Sequence, residues 1–275
     1  MILKKIATHL SLIFNSLFLD KHERKFIAAN KKKKFIKNIK KKNILIQAVS
    51  DYYYLAYYKT LINDQRYSDY NFIGLWPYFQ EPVRKRILIL QILNEFYNSF
   101  LLFFIYRKWS KLYKSIGIQN IEKINSGNFF KKKINDENFF FKSKSDVINF
   151  KISNIYIGDI LYDTYLRFRA MPTLFLRDFF LYNLVSKCRS IIFNLEALMK
   201  KHKFAYFFTS YSSYIHHGLP VRFFLKKKVT VYSGKNASQY NKKLSQNKLS
   251  HCEDFKKYKI YYLSLIHISE PTRPY

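Results

Sequence analysis

The stretch Ile155–Arg167, IYIGDILYDTYLR, decides how this chain is read. A short β-branched and aromatic run, Ile155 to Ile157, meets Gly158-Asp159, and a helical pattern starts directly after it. Strand, glycine turn, Asp at the N-cap, then helix is how an open α/β sheet sets polar groups at the carboxyl edge of a strand. Ligands of such sheets bind along those edges. Asp159, Asp163 and Arg167 follow at steps of four and so share one helix face. Two carboxylates and a guanidinium are therefore expected beside a cleft. The same spacing equally accommodates a structural role, with Asp159 as N-cap and Asp163 paired to Arg167 on the surface.

Working outward, Val147–Ile157 has strand character, and Asn125–Asp146 before it is polar, Lys-rich and loop-like. Asn43–Ser50 (NILIQAVS) reads as a buried strand, and Asp51 opens an aromatic helix over Tyr52–Leu61. The Ser50-Asp51 junction parallels Gly158-Asp159, giving the two polar edges a doubly wound sheet provides. Asn71–Pro82 reads as a loop broken by Gly74, Trp76 and Pro77. A long helix from about Val83 to Ser115 stops at Gly117, and Ile118–Ile124 is a short strand or the start of the connection. After a link at Pro172–Leu176, Arg177–Lys203 is a helix with an apolar stripe of Phe180, Leu184, Cys188, Ile191, Leu195 and Leu198. Phe204–Ser210 is a continuous apolar strand of the buried parallel type. The loop Tyr211–Pro220 carries His216, His217 and Gly218, Pro220–Leu225 starts a helix, and Lys228–Tyr232 is the next strand. The expected fold is α/β, a Rossmann-like parallel sheet flanked by helices. A basic helical arm at 1–42 precedes that domain at 43–233, and 234–262 reads as a linker towards a second domain.

The net charge of +31 at first suggests nucleic acid. Yet the chain is crowded with Lys, Asn, Ile, Phe and Tyr and has only 6 Gly and 6 Pro, the bias an AT-rich genome imposes without selection for binding. Nucleic acid is therefore disfavoured as a partner, while attraction to anionic lipid or nucleotides remains a physical consequence. The Lys-rich arm is by default solvated, with an anionic membrane surface as the sharper alternative. Cys188 and Cys252 provide neither a disulfide framework nor a thiolate metal site, which suits a reducing cytoplasm. No cleavable signal is evident. Ile87–Tyr106 has the length of a membrane span, but Gln91, Asn94, Glu95 and Asn98 fall on one side of it, so an amphipathic or buried helix is the better reading. The expected location is cytoplasmic, with peripheral attachment to the inner membrane face as a variant.

Residues 263–273, LSLIHISEPTR, match the conceptual translation of a transposase adapter used in preparing sequencing libraries. Residues 263–275 are accordingly expected to be artefactual, with the natural protein continuing past Tyr262, and they are set aside from fold reasoning.

The run Ile157–Arg167 (IGDILYDTYLR), supported by Arg107–Tyr113 (RKWSKLY) with Gly117 and by Tyr214 through Gly218 to Arg222, resembles the amino-terminal portion of bacterial surface-polysaccharide (capsule or lipopolysaccharide) biosynthesis proteins related to two-domain glycosyltransferases. The similarity spans roughly residues 43–233. It implies facing Rossmann-like domains, with a nucleotide-sugar donor on the carboxyl-terminal one and a sugar or lipid-linked glycan acceptor on this one. No cofactor is then expected on this chain, because the donor would bind the missing domain.

Glycosyl transfer needs a base for the acceptor hydroxyl and cations for the departing nucleoside phosphate. Asp159, Asp163, His216 and His217 are the candidate catalytic groups. Gly158, Tyr162, Thr164, Arg167, Gly218 and Arg222 are the candidate substrate-binding residues, with Arg167 and Arg222 suited to an anionic acceptor. Each has a plainer reading: an N-cap, a surface pair, a solvent-facing His pair, or core packing for the tyrosines. No metal is expected, since adjacent histidines diverge and no carboxylate or Cys stands at ligand spacing. Neither a Walker loop nor Gly-x-Gly-x-x-Gly occurs. The alternative to glycosyl transfer is a basic nucleic-acid-binding protein, or a peripheral membrane or scaffolding protein, without catalytic activity.

Overall fold

The computed structural model describes residues 18–31, 42–78, 88–118, 120–125, 140–169, 171–235 and 240–249. The Lys-rich run at 32–34, most of the polar loop at 125–146 and the tail at 263–275 lie outside them.

The main sheet has six strands: β1 (Asn43–Gln47), β2 (Asn71–Tyr78), β3 (Asn120–Asn125), β6 (Phe204–Thr209), β7 (Thr230–Lys235) and β8 (Tyr240–Lys243), in the spatial order β3-β2-β1-β6-β7-β8. Every neighbouring pair is parallel except β7 with β8. A second sheet is a two-residue antiparallel hairpin, β4 (Lys151–Ile152) and β5 (Ile155–Tyr156). The helices are α1 (Lys21–Lys31), α2 (Tyr52–Asn63), α3 (Leu88–Ser115), α4 (Lys144–Ile148), α5 (Gly158–Arg169), α6 (Phe179–Lys201) and α7 (Leu219–Lys226).

Strand periodicity sorts the core into two layers. Leu45, Ile73, Leu75, Phe207 and Val231 point towards α5, α6 and α7. Ile44, Ile46, Phe72 and Phe208 point towards α2 and α3. The chain is thus an α/β/α sandwich of Rossmann-like type, as its alternating strands and helices predict. The α6 stripe is buried from Leu181 through Leu184, Cys188, Ile191 and Leu195 to Leu198, though Phe180 stays partly exposed. Enclosure pushes the Cys188 thiol up to about 12, so it packs as a small hydrophobe.

Several expectations are corrected. Residues 71–78 form a central strand, not a loop: Phe72, Ile73, Leu75 and Trp76 are buried on both faces, and Gly74 admits Ile121 of β3, whose Cγ1 would lie 3.0 Å from an added Cβ. Val147–Ile157 is not one strand. Ser143 and Asp146 form a capping box that starts α4, and Ser153 and Asn154, both left-handed (φ 48° and 57°), turn β4 onto β5. The region after 233 does not leave the domain at once, because β8 pairs with β7 and Leu244 is buried behind it.

Residues 18–31 are likewise no solvated arm. Glu23 shares a reciprocal cap with Asp20 at 2.7 Å in both directions. Its carboxylate also meets Lys108 of α3 at 2.7 Å, with both side chains almost fully enclosed, and accepts the Tyr52 hydroxyl. Among the described residues no helix is long and apolar enough to cross a membrane.

Candidate functional site

From β1 the chain winds outward through β2 to β3, then returns to β6 on the other side of β1. The winding therefore reverses between β1 and β6, and in open α/β sheets the crevice beyond the carboxyl ends at that reversal is the ligand position. Here polar residues meet on the α5–α7 face of three strands: Thr209 pairs in register with Ser233, and Gln47, the last residue of β1, is hydrogen-bonded to Thr209. One step back the row is Leu45, Phe207 and Val231. The sheet turns from apolar to polar at this rim, and all three rim side chains are fully buried.

Gln47 organises the rim. Its Oε1 accepts from Thr209 Oγ1 at 2.5 Å and from Ser210 Oγ at 3.3 Å, and its Nε2 donates to the His216 carbonyl at 3.3 Å. That carbonyl fixes which end of the amide is nitrogen, so His217 Nδ1, 3.0 Å from Oε1, is the donor in its contact. In the neutral ring the lone pair then sits on Nε2. Tyr54 and Tyr113 brace the rim from α2 and α3, the first sharing its one hydroxyl proton between the Ser210 and Gly234 carbonyls, each at 3.2 Å, the second donating to the Val49 carbonyl at 2.8 Å. Asp51 caps α2, accepting from Tyr53 N at 2.8 Å, as its place after β1 predicts.

The loop after β6 ends in a π-type turn, Tyr214–Gly218, a geometry frequent at functional sites. Tyr214 holds a left-handed backbone (φ 56°), uncommon for a bulky side chain. Gly218 is required by packing, because a Cβ there would sit 2.5 Å from the Ser212 carbonyl. The loop is tied to α5 by Thr164, whose Oγ1 accepts the Ile215 N–H at 3.0 Å and donates to the Ile160 carbonyl at 2.5 Å. Between α5 and this loop opens a groove of about 630 Å³ lined by Asp163, Leu166, Arg167, Ser213 and Tyr214.

The expected face of Asp159, Asp163 and Arg167 exists, but its members divide. Asp159 is no N-cap: it lies in the first turn of α5 and grips Arg222 with both oxygens, at 2.5 and 2.6 Å. Arg222 also donates to the Tyr156 carbonyl at 2.8 Å, so both residues clamp α7 to α5 and the hairpin. Asp163 and Arg167 face the groove. Partial burial, then the Asp159 charge, hold the Asp163 carboxyl above its ordinary value, against a smaller opposing pull from Arg222.

Gly158 is a packing residue, since a Cβ would come within 1.9 Å of the Ile148 carbonyl. Thr164 and Gly218 are likewise buried. Tyr162 is half-buried and packs against the α5–α7 core. His216 and His217 touch ring to ring at 4.1 Å, and His217 meets the rim amide through its ring, His216 through its backbone carbonyl. Burial, and then the Arg167 charge, push His216 down to about 4, so it is a neutral imidazole. The Gly158-Asp159 turn follows the hairpin, not a strand of the main sheet, so α5 reaches the crevice through the 211–217 loop instead. Among the described residues no group of His, Cys, Asp and Glu is placed to hold a metal ion.

Sequence reasoning overlooked Gln47, Thr209, Ser210, Ser213, Tyr214 and Ser233. A signal existed: NILIQ and FAYFFT are apolar strands that each end on an uncharged polar residue, and Ser233 follows the apolar part of the strand at 230–235. No protein-family model, curated protein or solved structure matches this chain.

Proposed function

We propose that this chain forms the acceptor side of a glycosyltransferase of bacterial surface-polysaccharide assembly, working in the cytoplasm with its nucleotide-sugar donor on a second domain. The observation that supports it best is the groove, where a carboxyl of raised pKa and an arginine stand on one wall beside the reversal point of the sheet. Raising a carboxyl towards working pH makes it a better base. Asp163 takes the proton of an acceptor hydroxyl as that oxygen bonds to the anomeric carbon of the donor. The bond from that carbon to the nucleoside phosphate breaks, and its electron pair leaves with the phosphate.

Saturation-transfer NMR with mono- and oligosaccharides tests the reading. Weak binding is expected, with Kd on the order of 1 mM (about −4 kcal/mol). Leu166→Trp, which fills the groove, should abolish it. The proposal fails if no saccharide contacts the chain while duplex DNA stays bound at about 0.5 M salt, where purely electrostatic binding has decayed.

A further inference from the structure

The charged wall of the groove has a construction that accepting a neutral hydroxyl does not require. The Arg167 guanidinium lies over the Tyr214 ring, 5.2 Å from its centre. The same ring is parallel to the His216 imidazole (6.0 Å, 4°), and Phe168 meets both rings at 6.3 Å. The platform is held at a cost, because the left-handed Tyr214 backbone opposes folding where a bulky residue stands. The Thr164–Ile215 hydrogen bond and the close seat of Gly218 keep it there. A guanidinium held over an aromatic ring is partly pre-organised, so less freedom is lost when its planar fork receives two oxygens.

Two other cationic candidates have different roles. Arg222 is committed to Asp159 and the Tyr156 carbonyl. His216 stays neutral through the physiological range, leaving the positive charge of the stack on Arg167. Ser213 adds a hydroxyl on the same groove.

We propose that Arg167, held over the Tyr214 ring, is an anion-recognition group, and that the sugar entering this groove carries a carboxylate or a phosphate. This deepens the sugar-transfer reading and rests on it for the word sugar, whereas the anion preference stands on the groove itself. Tyr214 is a positioning residue, acting through Arg167.

The test is a set of NMR titrations of the full chain with glucose, glucuronate, glucose 1-phosphate and inorganic phosphate, following amides of 163–167 and 213–214. Glucuronate or glucose 1-phosphate should bind roughly tenfold or more tighter than glucose, the scale of a hydrogen bond to a charged group. Arg167→Met should erase that preference, Arg167→Lys should restore part of it, and Tyr214→Leu should weaken acidic ligands while the arginine remains. Lys200→Met, which removes equal charge from the exposed last turn of α6, controls for general attraction to a basic protein and should change nothing. The ratio of the two acidic sugars tells carboxylate from phosphate. The proposal is overturned if glucose binds as well as its acidic analogues, if Arg167→Met and Lys200→Met act alike, or if no acidic probe shifts the groove amides. Equal binding of glucose would overturn the anion preference alone, and absence of every saccharide with phosphate still bound would overturn only the sugar-transfer reading.

Discussion

Replacing Asp159 by Asn should cost more stability than replacing Arg222 by Met, although the arginine is the larger side chain. The asymmetry follows from where the two charges sit. The Arg222 side chain is 7% exposed and Asp159 is 44% exposed. Asp159→Asn leaves a buried guanidinium with no counter-charge from this pair, only the Tyr156 carbonyl and the Tyr156 ring, 5.2 Å away. Breaking a buried pair from that side costs about 3 kcal/mol. Arg222→Met instead leaves a carboxylate that water reaches and that still accepts from Ile160 N at 2.8 Å, while the Met chain fills much of the vacated space. That change should cost about 1–2 kcal/mol. The double variant should cost less than the sum, because the second substitution removes the group the first left stranded. Urea unfolding followed by circular dichroism at neutral pH measures all three. A loss of about 3 kcal/mol corresponds to roughly 6–12 °C in Tm for a domain of this size. If Asp159→Asn proved as stable as the parent chain, or Arg222→Met more damaging, the clamp argument would be wrong and Asp159 would return as a carboxylate kept for chemistry.

Three further outcomes follow from the same geometry. His216 binds a proton more readily unfolded than folded, so between its ordinary value near 6.5 and its folded value of about 4 each step down in pH favours unfolding. His216→Gln should remove a slope worth on the order of 3 kcal/mol across that window, read from urea midpoints at pH 7 and pH 4.5 against the parent chain. Gly158→Ala should cost several kcal/mol, since its Cβ would meet backbone at 1.9 Å, whereas Gly74→Ala meets side chains, Ile121 at 3.0 Å and Ile118 at 3.4 Å, and should cost about 1 kcal/mol; thermal melts separate the two. Glu23→Gln removes the negative charge that faces the buried Lys108 ammonium, so amides of α1 should exchange with deuterium faster while those of β1 and β6 do not change.

The sandwich was legible because its signals are local. Buried parallel strands are apolar on both faces, and NILIQ and FAYFFT announce themselves as such. β2 was hidden by its own breakers: Gly74 and Pro77 read as loop punctuation, yet the glycine gives room to β3 and the proline stands next to the strand end. The run IYI before Gly158 looks the same whether it joins a large sheet or folds back on its neighbour. What decides is the preceding pair Ser153-Asn154, whose two left-handed residues make a tight hairpin turn, and Asn is a residue that tolerates that conformation.

The site was half legible for a different physical reason. Spacing along a helix shows which residues share a face, but not which of them the neighbouring element will neutralise. Asp159, Asp163 and Arg167 are equivalent on the α5 wheel; a buried arginine 63 positions away on α7 claims the first and leaves the other two on the groove. The other wall comes from the loop after β6, and that loop touches both halves of the site at once. Ile215 hangs from Thr164 of α5, while the next residue's carbonyl takes the Gln47 amide at the end of β1. A shift of this loop on ligand binding would therefore move the Arg167–Tyr214 stack and the His217–Gln47 contact together. Conversely, a substitution that frees the loop from Thr164 disturbs the sheet rim and the groove in one step. The polar rim of the sheet and the charged face of α5 are thus parts of a single site, although no sequence spacing connects them.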